Sequence, residues 1–265
     1  MSDAGHISLE VPLERMEPIS LDEMDSIKLM NRIDTKYLTA EETLVNVLSD
    51  AAGAGYRVLE ADGSRISPYD SLYFDTPSLK MFFDHHNRKL TRQKVRTRIY
   101  LNSGLAFLEI KRKNNKGRTK KKRVGIPAEE FGGFASDGNA CRYLEEHSAF
   151  TSGELTPAAE TAFRRITLVN PEKTERITID TCLTFKNFRT GLGTSLQDAV
   201  VIEIKQDGRA PSPMKRILLD HRVKPVRISK YCIATTVTSP GLKTGRFKEK
   251  VRTIEKTINK KITAQ

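Results

Sequence analysis

The chain has no tryptophan, few aromatic residues and only three cysteines. Cys141, Cys182 and Cys232 lie far apart and form no CxxC pair, which argues against a disulfide framework and against a thiolate zinc site. No apolar run approaches the roughly 20 residues that a transmembrane helix requires. The first residues also lack the basic and then apolar pattern of a secretory signal. The sequence therefore predicts a cytoplasmic protein without a transmembrane segment.

Several motifs of nucleotide-binding and hydrolytic enzymes are also missing. The chain contains no Gly-Lys dipeptide, so it has no P-loop, and it has no GxSxG motif. Gly53-x-Gly55 and Gly191-x-Gly193 lack the third glycine and the preceding strand of a dinucleotide-binding fingerprint. Modules that read nucleic-acid bases usually carry stacking aromatic residues, which the basic segments of this chain lack. We therefore expect no sequence-specific nucleic-acid partner.

What the sequence does have is positive charge. It contains 45 Lys and Arg residues against 33 Asp and Glu residues, which gives a formal net charge of +12. Such an excess favours a polyanionic partner, which can be nucleic acid, an anionic lipid or a chain of phosphates.

Composition divides the chain into three parts. Residues 1–20 form an N-terminal lead-in, residues 21–240 form the main domain, and residues 241–265 form a basic C-terminal helix with a net charge of +6. The apolar residues of this helix recur at helical spacing and are Phe247, Val251, Ile254, Ile258 and Ile262. We expect this stripe to pack on the core, and a basic lid or a surface-binding helix is the alternative.

The main domain is rich in predicted strands and poorer in helices. The predicted strands are 33–38, 69–75, 92–101, 105–113, 120–126, 162–169, 176–181, 199–205 and 224–228. The predicted helices are 40–52, 78–86, 140–147 and 212–221, with a further helix beginning at residue 21. Asn102–Gly104 and Asn114–Gly117 have the composition of hairpin turns. This pattern indicates an α+β protein with an antiparallel sheet or barrel.

Charged residues occupy alternate positions on five of these strands. Arg92, Lys94, Arg96 and Arg98 are spaced by two and therefore share one face of a strand. The same alternation places together Glu109, Lys111 and Lys113; Lys121 and Arg123; Arg176, Thr178 and Asp180; and Glu203 and Lys205. A polar face in water would explain any one strand. If the sheet closes, five such strands predict a cationic interior, with helices covering the apolar outside.

Isolated carboxylates among these cations suggest a divalent metal. Mg²⁺ and Mn²⁺ take oxygen ligands, usually few from the protein and the rest from phosphate and water. Glu203 is the best candidate ligand because it is a lone acid on an otherwise apolar strand. A salt bridge to a neighbouring arginine explains the same pattern equally well.

Nine motifs, in this order, resemble a known family. They are NRIDTKYLT, SLYFDTPSLKMFFDH, KVRTRIY, FLEIKRK, KKKRV, FRRITL, ERITIDTCL, VVIEIK and RISKY. As a set they resemble the VTC domain, the polyphosphate polymerase domain of the CYTH or triphosphate tunnel metalloenzyme superfamily.

The resemblance implies a closed antiparallel barrel of about eight strands that forms a triphosphate tunnel, with helices packed outside. It implies ATP-dependent synthesis of inorganic polyphosphate with Mn²⁺ or Mg²⁺. The catalytic residues that it implies are Lys36, Arg96, Arg98, Lys111, Arg165 and Arg176. The further phosphate-binding residues that it implies are Lys121, Arg123, Arg227, Ser229 and Lys230. The metal ligand that it implies is Glu203.

The chain departs from the superfamily at two places. The superfamily begins with an ExExK strand, whereas this chain has Arg32-x-Asp34-x-Lys36, which fits the polymerase branch better than the triphosphate hydrolases. Phe163 stands where the family often has tyrosine, so a hydrogen bond to phosphate is lost there. Two other functions stay open: a triphosphate or nucleoside-triphosphate hydrolase, and a non-catalytic protein that binds polyphosphate or RNA.

Overall fold

The computed structural model describes residues 9–27, 29, 32–208 and 210–265. Its helices are α1 (Glu10–Glu14), α2 (Leu21–Ser26), α3 (Glu41–Gly53), α4 (Lys80–His86), α5 (Gly138–His147), α6 (Pro213–Asp220), α7 (Lys230–Val237) and α8 (Gly245–Thr257). Its strands are β1 (Pro18–Ile19), β2 (Ile33–Ala40), β3 (Arg57–Leu59), β4 (Ser67–Asp75), β5 (Arg92–Tyr100), β6 (Ala106–Lys113), β7 (Thr119–Ile126), β8 (Thr156–Val169), β9 (Glu175–Asn187), β10 (Gly193–Leu196) and β11 (Ala199–Gln206).

The strands form one large sheet whose main path is antiparallel throughout. Its order is β2-β11-β9-β8-β4-β5-β6-β7, while β10 pairs with β9 and β3 pairs with β8. The two predicted turns join β5 to β6 and β6 to β7. Gly104 and Gly117 adopt left-handed φ angles of 68° and 77° in these turns, a conformation that glycine tolerates because it has no Cβ.

The sheet curls so that strands far apart in its order face one another. Lys111 of β6 interacts electrostatically with Glu203 of β11 and with Lys36 of β2, although four strands separate β6 from β11. The charged alternate positions therefore lie on the inner, concave face of the curl. The apolar alternate positions lie on the outer, convex face.

Helices cover the convex face, as the sequence predicts. Leu44 and Val47 of α3 pack with Ile177 and Ile202 of the sheet in one core cluster. In a second cluster, α5 packs against the apolar side of β5 and β6. Each buried aliphatic side chain contributes about 1.5–3 kcal/mol of transfer free energy, so the convex side carries much of the stability.

Helix α7 lies at one end of the concave side, and the sequence pattern did not predict this helix. Its residues Tyr231 and Ile233 are buried against Leu38 and Val201, which lie on the concave side of β2 and β11. The last two residues of the motif RISKY, Lys230 and Tyr231, are the first two residues of this helix. The predicted strand 224–228 is wrong, because only an isolated bridge between Tyr37 and Pro225 forms there.

The closure of the barrel is not confirmed. The end strands β2 and β7 do not pair with each other in the described part of the chain. Strand β7 is exposed over most of its length, and Lys120–Arg123 are four consecutive cations. In the described part of the chain, β7 therefore ends the sheet as an edge strand. Among the described residues, no helix is long and apolar enough to span a membrane.

Candidate active site

Strand register gathers the cations on the concave face. Lys94 of β5 lies opposite Lys111 of β6, and Lys111 lies opposite Lys121 of β7. Antiparallel partners point to the same side of a sheet, so neighbouring strands extend one another's charged rows. We call the assembled surface the basic face, and its cations are Lys36, Lys94, Arg96, Arg98, Lys111, Lys121, Arg165, Lys205 and Lys230.

Glu109 organises one half of the basic face. Its carboxylate, only 2% exposed, accepts from Arg96 Nε at 2.7 Å and from Lys121 Nζ at 2.8 Å. Burial alone would raise the pKa of Glu109, but Arg96, Arg98 and Lys121 hold it well below its usual range. Arg96 also donates to the hydroxyl of Tyr73 at 2.8 Å. Both partners of Glu109 are therefore fixed before any ligand binds.

Arg98 is held differently, because it makes no ion pair within the described part of the chain. Its Nε donates to Ser71 Oγ at 2.9 Å, and its guanidinium lies 5.6 Å from the ring centres of Tyr69 and Phe163. Burial, together with the neighbouring Arg96, lowers the pKa of Arg98 to about 10. The result is a buried, positioned cation whose charge is not balanced by a direct carboxylate contact.

Asp180 organises the other half. It accepts from Arg165 Nε and Nη2 at 2.6 and 2.9 Å and also pairs with Lys230, which begins α7. The ammonium of Lys230 lies 3.7 Å from the ring centre of Phe163, and Arg165 lies 5.1 Å from the same ring. Phe163, which the sequence marks only as a lost hydroxyl, thus serves as a shared cation–π surface.

Glu203 pairs with Lys36 at 2.9 Å across strands β11 and β2. Burial alone would raise the pKa of Glu203, but Lys36 and Lys205 outweigh it and hold the carboxyl ionised. Lys111 approaches from the opposite side of the curl, and burial lowers the pKa of Lys111 while Glu203 raises it. Glu203 thus forms a salt bridge, although with Lys36 and not with an arginine, and its ionised carboxylate is also a potential oxygen donor for a metal.

The carboxylates present limit how a metal could be held. Among the described residues, no group of three Asp, Glu, His or Cys side chains lies close enough to hold an ion. Glu109 and Asp180 each bind two cations, whereas Glu203 makes an ion pair only with Lys36 in the described chain. The donor set therefore fits a divalent ion held by Glu203 together with phosphate oxygens and water.

Four of the predicted site residues lie at the margins. Arg176 donates to the carbonyls of Met24 and Ile27. Arg123 stacks 4.7 Å from the ring centre of Phe107. The remaining two precede α7: Arg227 is exposed, and Ser229 caps the helix by accepting from Cys232 N at 3.3 Å.

Two lysines and a tyrosine belong to the basic face although the sequence reading assigned them no role. Lys94 donates to Ser229 Oγ at 2.5 Å. Lys205 of β11 lies opposite Arg176 on β9 and opposite Asp34 on β2. Burial lowers the pKa of Lys205 to about 8. Tyr73 binds Arg96. The alternation of charge already marked both lysines, whereas nothing local distinguished the tyrosine.

The neighbouring histidines His85 and His86 do not gather metal ligands. His85 Nδ1 lies 3.1 Å from Cys232 Sγ, and His86 Nδ1 lies 3.0 Å from Asn87 Oδ1. The two rings pack against Phe247 of α8. Their role in the described structure is to join α4 to α7 and α8.

Comparison with known protein families shows to which family the chain belongs. Residues 31–239 match the VTC domain, so the chain belongs to the VTC domain family. No curated protein sequence matches the chain.

Two solved structures illustrate the structural likeness. HpAC1 from Hippeastrum, described as having a dominant triphosphatase activity, has 15% identity and a TM-score of 0.49, over 80% of this chain and 99% of that one. The PH1012 protein from Pyrococcus horikoshii OT3 has 11% identity and a TM-score of 0.40, over 76% of this chain and 99% of that one. Such distant likeness carries no functional argument.

Proposed function

We propose that the protein is a polyphosphate polymerase, which transfers the γ-phosphate of ATP to a growing chain of inorganic polyphosphate on the basic face. The observation that carries the proposal is the environment of Arg98. Its guanidinium is buried and positioned, yet the described chain supplies it with no carboxylate contact. Burying an unpaired charge is unfavourable, and a bound phosphate oxygen would offset that cost. Membership of the VTC domain family supports the same assignment.

The geometry suits phosphoryl transfer because this reaction requires positioning and charge neutralisation more than covalent chemistry from the protein. Arg98 offers its planar guanidinium to phosphate oxygens, while Lys36 and Lys111 offer point charges from opposite sides of the curl. Arg165 adds positive charge beside them, although its Nε and Nη2 are held by Asp180. The Arg98 guanidinium orients the γ-phosphorus toward the acceptor. The lysines neutralise the charge of the donor and acceptor chains.

The reaction needs no general base from the protein. The acceptor is the terminal phosphate of a chain, which is already ionised near neutral pH. Its oxygen forms a bond to the γ-phosphorus as the bond between that phosphorus and the β-phosphate oxygen breaks. The electron pair of the broken bond leaves with ADP. A divalent ion, Mn²⁺ or Mg²⁺, held by Glu203 and phosphate oxygens would supply additional positive charge for the phosphates.

Glu109 and Asp180 do not favour hydrolysis as the main reaction. Glu109 and Asp180 are each committed to two cations, so neither is free to activate a water molecule. Closure of the sheet around the substrate, as in a complete tunnel, would further exclude water and belongs to the proposal.

Product analysis tests the proposal. Purified protein is incubated with ATP and Mn²⁺ or Mg²⁺, and the products are resolved on a polyphosphate gel with parallel assays for ADP and orthophosphate. We expect ADP and a ladder of long chains. Release of orthophosphate alone would identify a hydrolase, and binding of polyphosphate without ATP turnover would identify a non-catalytic protein. Lys122→Ala is the matched control, because Lys122 is an exposed cation on the convex side of β7.

A further inference from the structure

A second group of cations lies beyond the basic face, where the ends of β5 and β6 approach α4 and α8. We call it the rim cluster, and its members are Arg88, Arg92, Lys113, Arg227 and Lys250. Arg92 and Lys113 are cross-strand partners. Arg92 also continues the row of Arg98, Arg96 and Lys94 to the end of β5.

Packing of α8 brings Lys250 to this place. Phe247, one turn earlier on the helix, is 3% exposed and its ring centre lies 5.8 Å from that of His85 and 5.5 Å from that of Phe82 on α4. Lys250 Nζ lies 5.3 Å from the same ring. The helix therefore presents Lys250 on the flank that adjoins α4, whereas Lys248 lines a cavity of about 230 Å³ with Val237 of α7.

The side chain of Lys94 connects the rim cluster to the basic face. Its contact with Ser229 Oγ holds the segment that carries Arg227 against β5. Lys94 also interacts electrostatically with Lys250, as do Arg88 and Arg227. A continuous row of positive charge thus leads from Arg98 along β5 to α8.

The rim cations repel one another. Burial lowers the pKa of Lys250, Cys232 opposes this effect, and Arg88, Lys94 and Arg227 add to it. Burial and four neighbouring cations together lower the pKa of His85 to about 2, and these cations are Lys94, Arg92, Lys250 and Lys113. Within the described ranges, none of the rim residues makes an ion pair with a carboxylate. Repulsion among unpaired like charges is relieved by an anion that spans them.

We propose that the rim cluster is a second polyphosphate-binding site, which holds the part of the chain that lies outside the reaction centre. The proposal rests on the proposed function, because it states where an acceptor or product chain runs. Its member Lys250 of α8 lies beyond the matched region 31–239, whereas the other four members lie within it. A bare phosphate chain fits better than RNA, since the rim cluster contains no aromatic side chain on which a base would stack.

Binding measurements test this inference without turnover. The affinities of long-chain polyphosphate and of tripolyphosphate are measured for the full chain, for Lys250→Glu, for Lys113→Glu and for the control Lys248→Glu. Lys248 is an exposed lysine on the same helix, so its reversal changes the net charge equally. We expect the two rim variants to lose about tenfold or more in affinity for the long chain and to keep their affinity for tripolyphosphate. The salt dependence of long-chain binding should also weaken by roughly one unit of slope per lost contact.

Three outcomes would overturn the inference. Equal losses in Lys250→Glu and Lys248→Glu would reveal a general effect of net charge. Equal losses for both ligands would place the rim residues in the reaction centre. Equally tight binding of single-stranded RNA would exclude selectivity for a bare phosphate chain. Each outcome differs from failure of the proposed function, which shows itself in the products formed from ATP. A thermal unfolding curve for each variant verifies that it is folded.

Discussion

Asp180 of β9 accepts two hydrogen bonds from Arg165 of the neighbouring strand β8 and also pairs with Lys230 of α7. Arg165 and Lys230 lie 15 and 50 residues from it along the chain. Burial alone would raise the pKa of Asp180, but its two partners hold the pKa well below the usual range. One carboxylate thus fixes a guanidinium and an ammonium beside Phe163 and leaves one net positive charge there for a phosphate.

Lys230 makes phosphate binding depend on pH. Burial lowers the pKa of Lys230 to about 7 despite the opposing effect of Asp180, so the folded protein loses this charge as the pH rises through about 7. We expect Lys230→Arg, which stays protonated, to bind tripolyphosphate more tightly than the wild type above pH 8 and similarly at pH 6. Calorimetry measures the affinity of each protein for tripolyphosphate. Because tripolyphosphate itself titrates, the affinities of the two proteins are compared with each other at each pH.

The same shift has a consequence for stability. Between about pH 7 and the ordinary value of 10.5, the unfolded chain holds the Lys230 proton and the folded chain does not. The contribution of Lys230 to the free energy of unfolding therefore increases as the pH rises through this window. Lys230→Arg should remove that increase, whereas the surface change Lys122→Arg should keep it. Identical stability profiles for the wild type and Lys230→Arg would show that Lys230 is not buried as described.

Arg98→Ala should lower turnover by about 100-fold, the scale expected when a preorganised contact to the transferred phosphate is lost. Arg98→Lys should restore little of it, because lysine lacks the planar fork. Steady-state ADP release measures the effect, with Lys122→Ala as the control. Near-normal turnover of Arg98→Ala would remove the main support for the proposed function.

Arg96→Ala should behave differently from Arg98→Ala because Arg96 stabilises a buried carboxylate. Without it, Glu109 keeps only Lys121 as an ion-pair partner, and breaking such a buried pair costs about 3 kcal/mol or more. We expect Arg96→Ala to lower both turnover and the free energy of unfolding, and Arg98→Ala to lower mainly turnover. Urea unfolding of the two variants separates these effects. Equal losses of stability would mean that the two arginines have the same structural role.

Glu203→Gln should abolish metal-dependent turnover while the protein remains folded. Glutamine has the size of glutamate but lacks the charge that would bind a divalent ion, and it leaves Lys36 without its ion-pair partner. Titration with Mn²⁺ in the presence of tripolyphosphate measures the effect as a loss of metal binding. If the variant turns over ATP normally at limiting Mn²⁺, then Glu203 is a salt-bridge partner and not a ligand.

Helix α8 should contribute to stability through its apolar stripe. Phe247 and Ile254 are 3% and 1% exposed within a core cluster shared with α7. Phe247→Ala should therefore cost about 3–5 kcal/mol of unfolding free energy, measured by urea denaturation. Lys256→Ala, on the exposed side of the same helix, should change it by less than about 0.5 kcal/mol. A Phe247→Ala variant as stable as the wild type would mean that α8 detaches from the core.

Alternation along each strand was sufficient to predict which charged residues share a face. Arg96 and Arg98 lie on the concave face with Lys94, as their spacing by two requires, and the apolar residues between them face outward. This property follows from the backbone geometry of a single strand, so it needs no knowledge of the neighbours. The stripe on α8 was predictable for the same reason, because helical spacing is also local.

Only the tertiary structure decided which partners meet. Strand order and register bring Glu109 to Arg96 and Lys121, and they leave Arg98 without a carboxylate contact in the described chain. The docking of α7 inside the curl brings Lys230 to Asp180, although 50 residues separate the two in the chain. Whether the edge strand β7 pairs with β2 likewise depends on how the sheet curls. The backbone period determines which residues share a face of a strand or helix. Which side chains become ion-pair partners depends on strand register and sheet curvature, and these arise only when the whole chain packs.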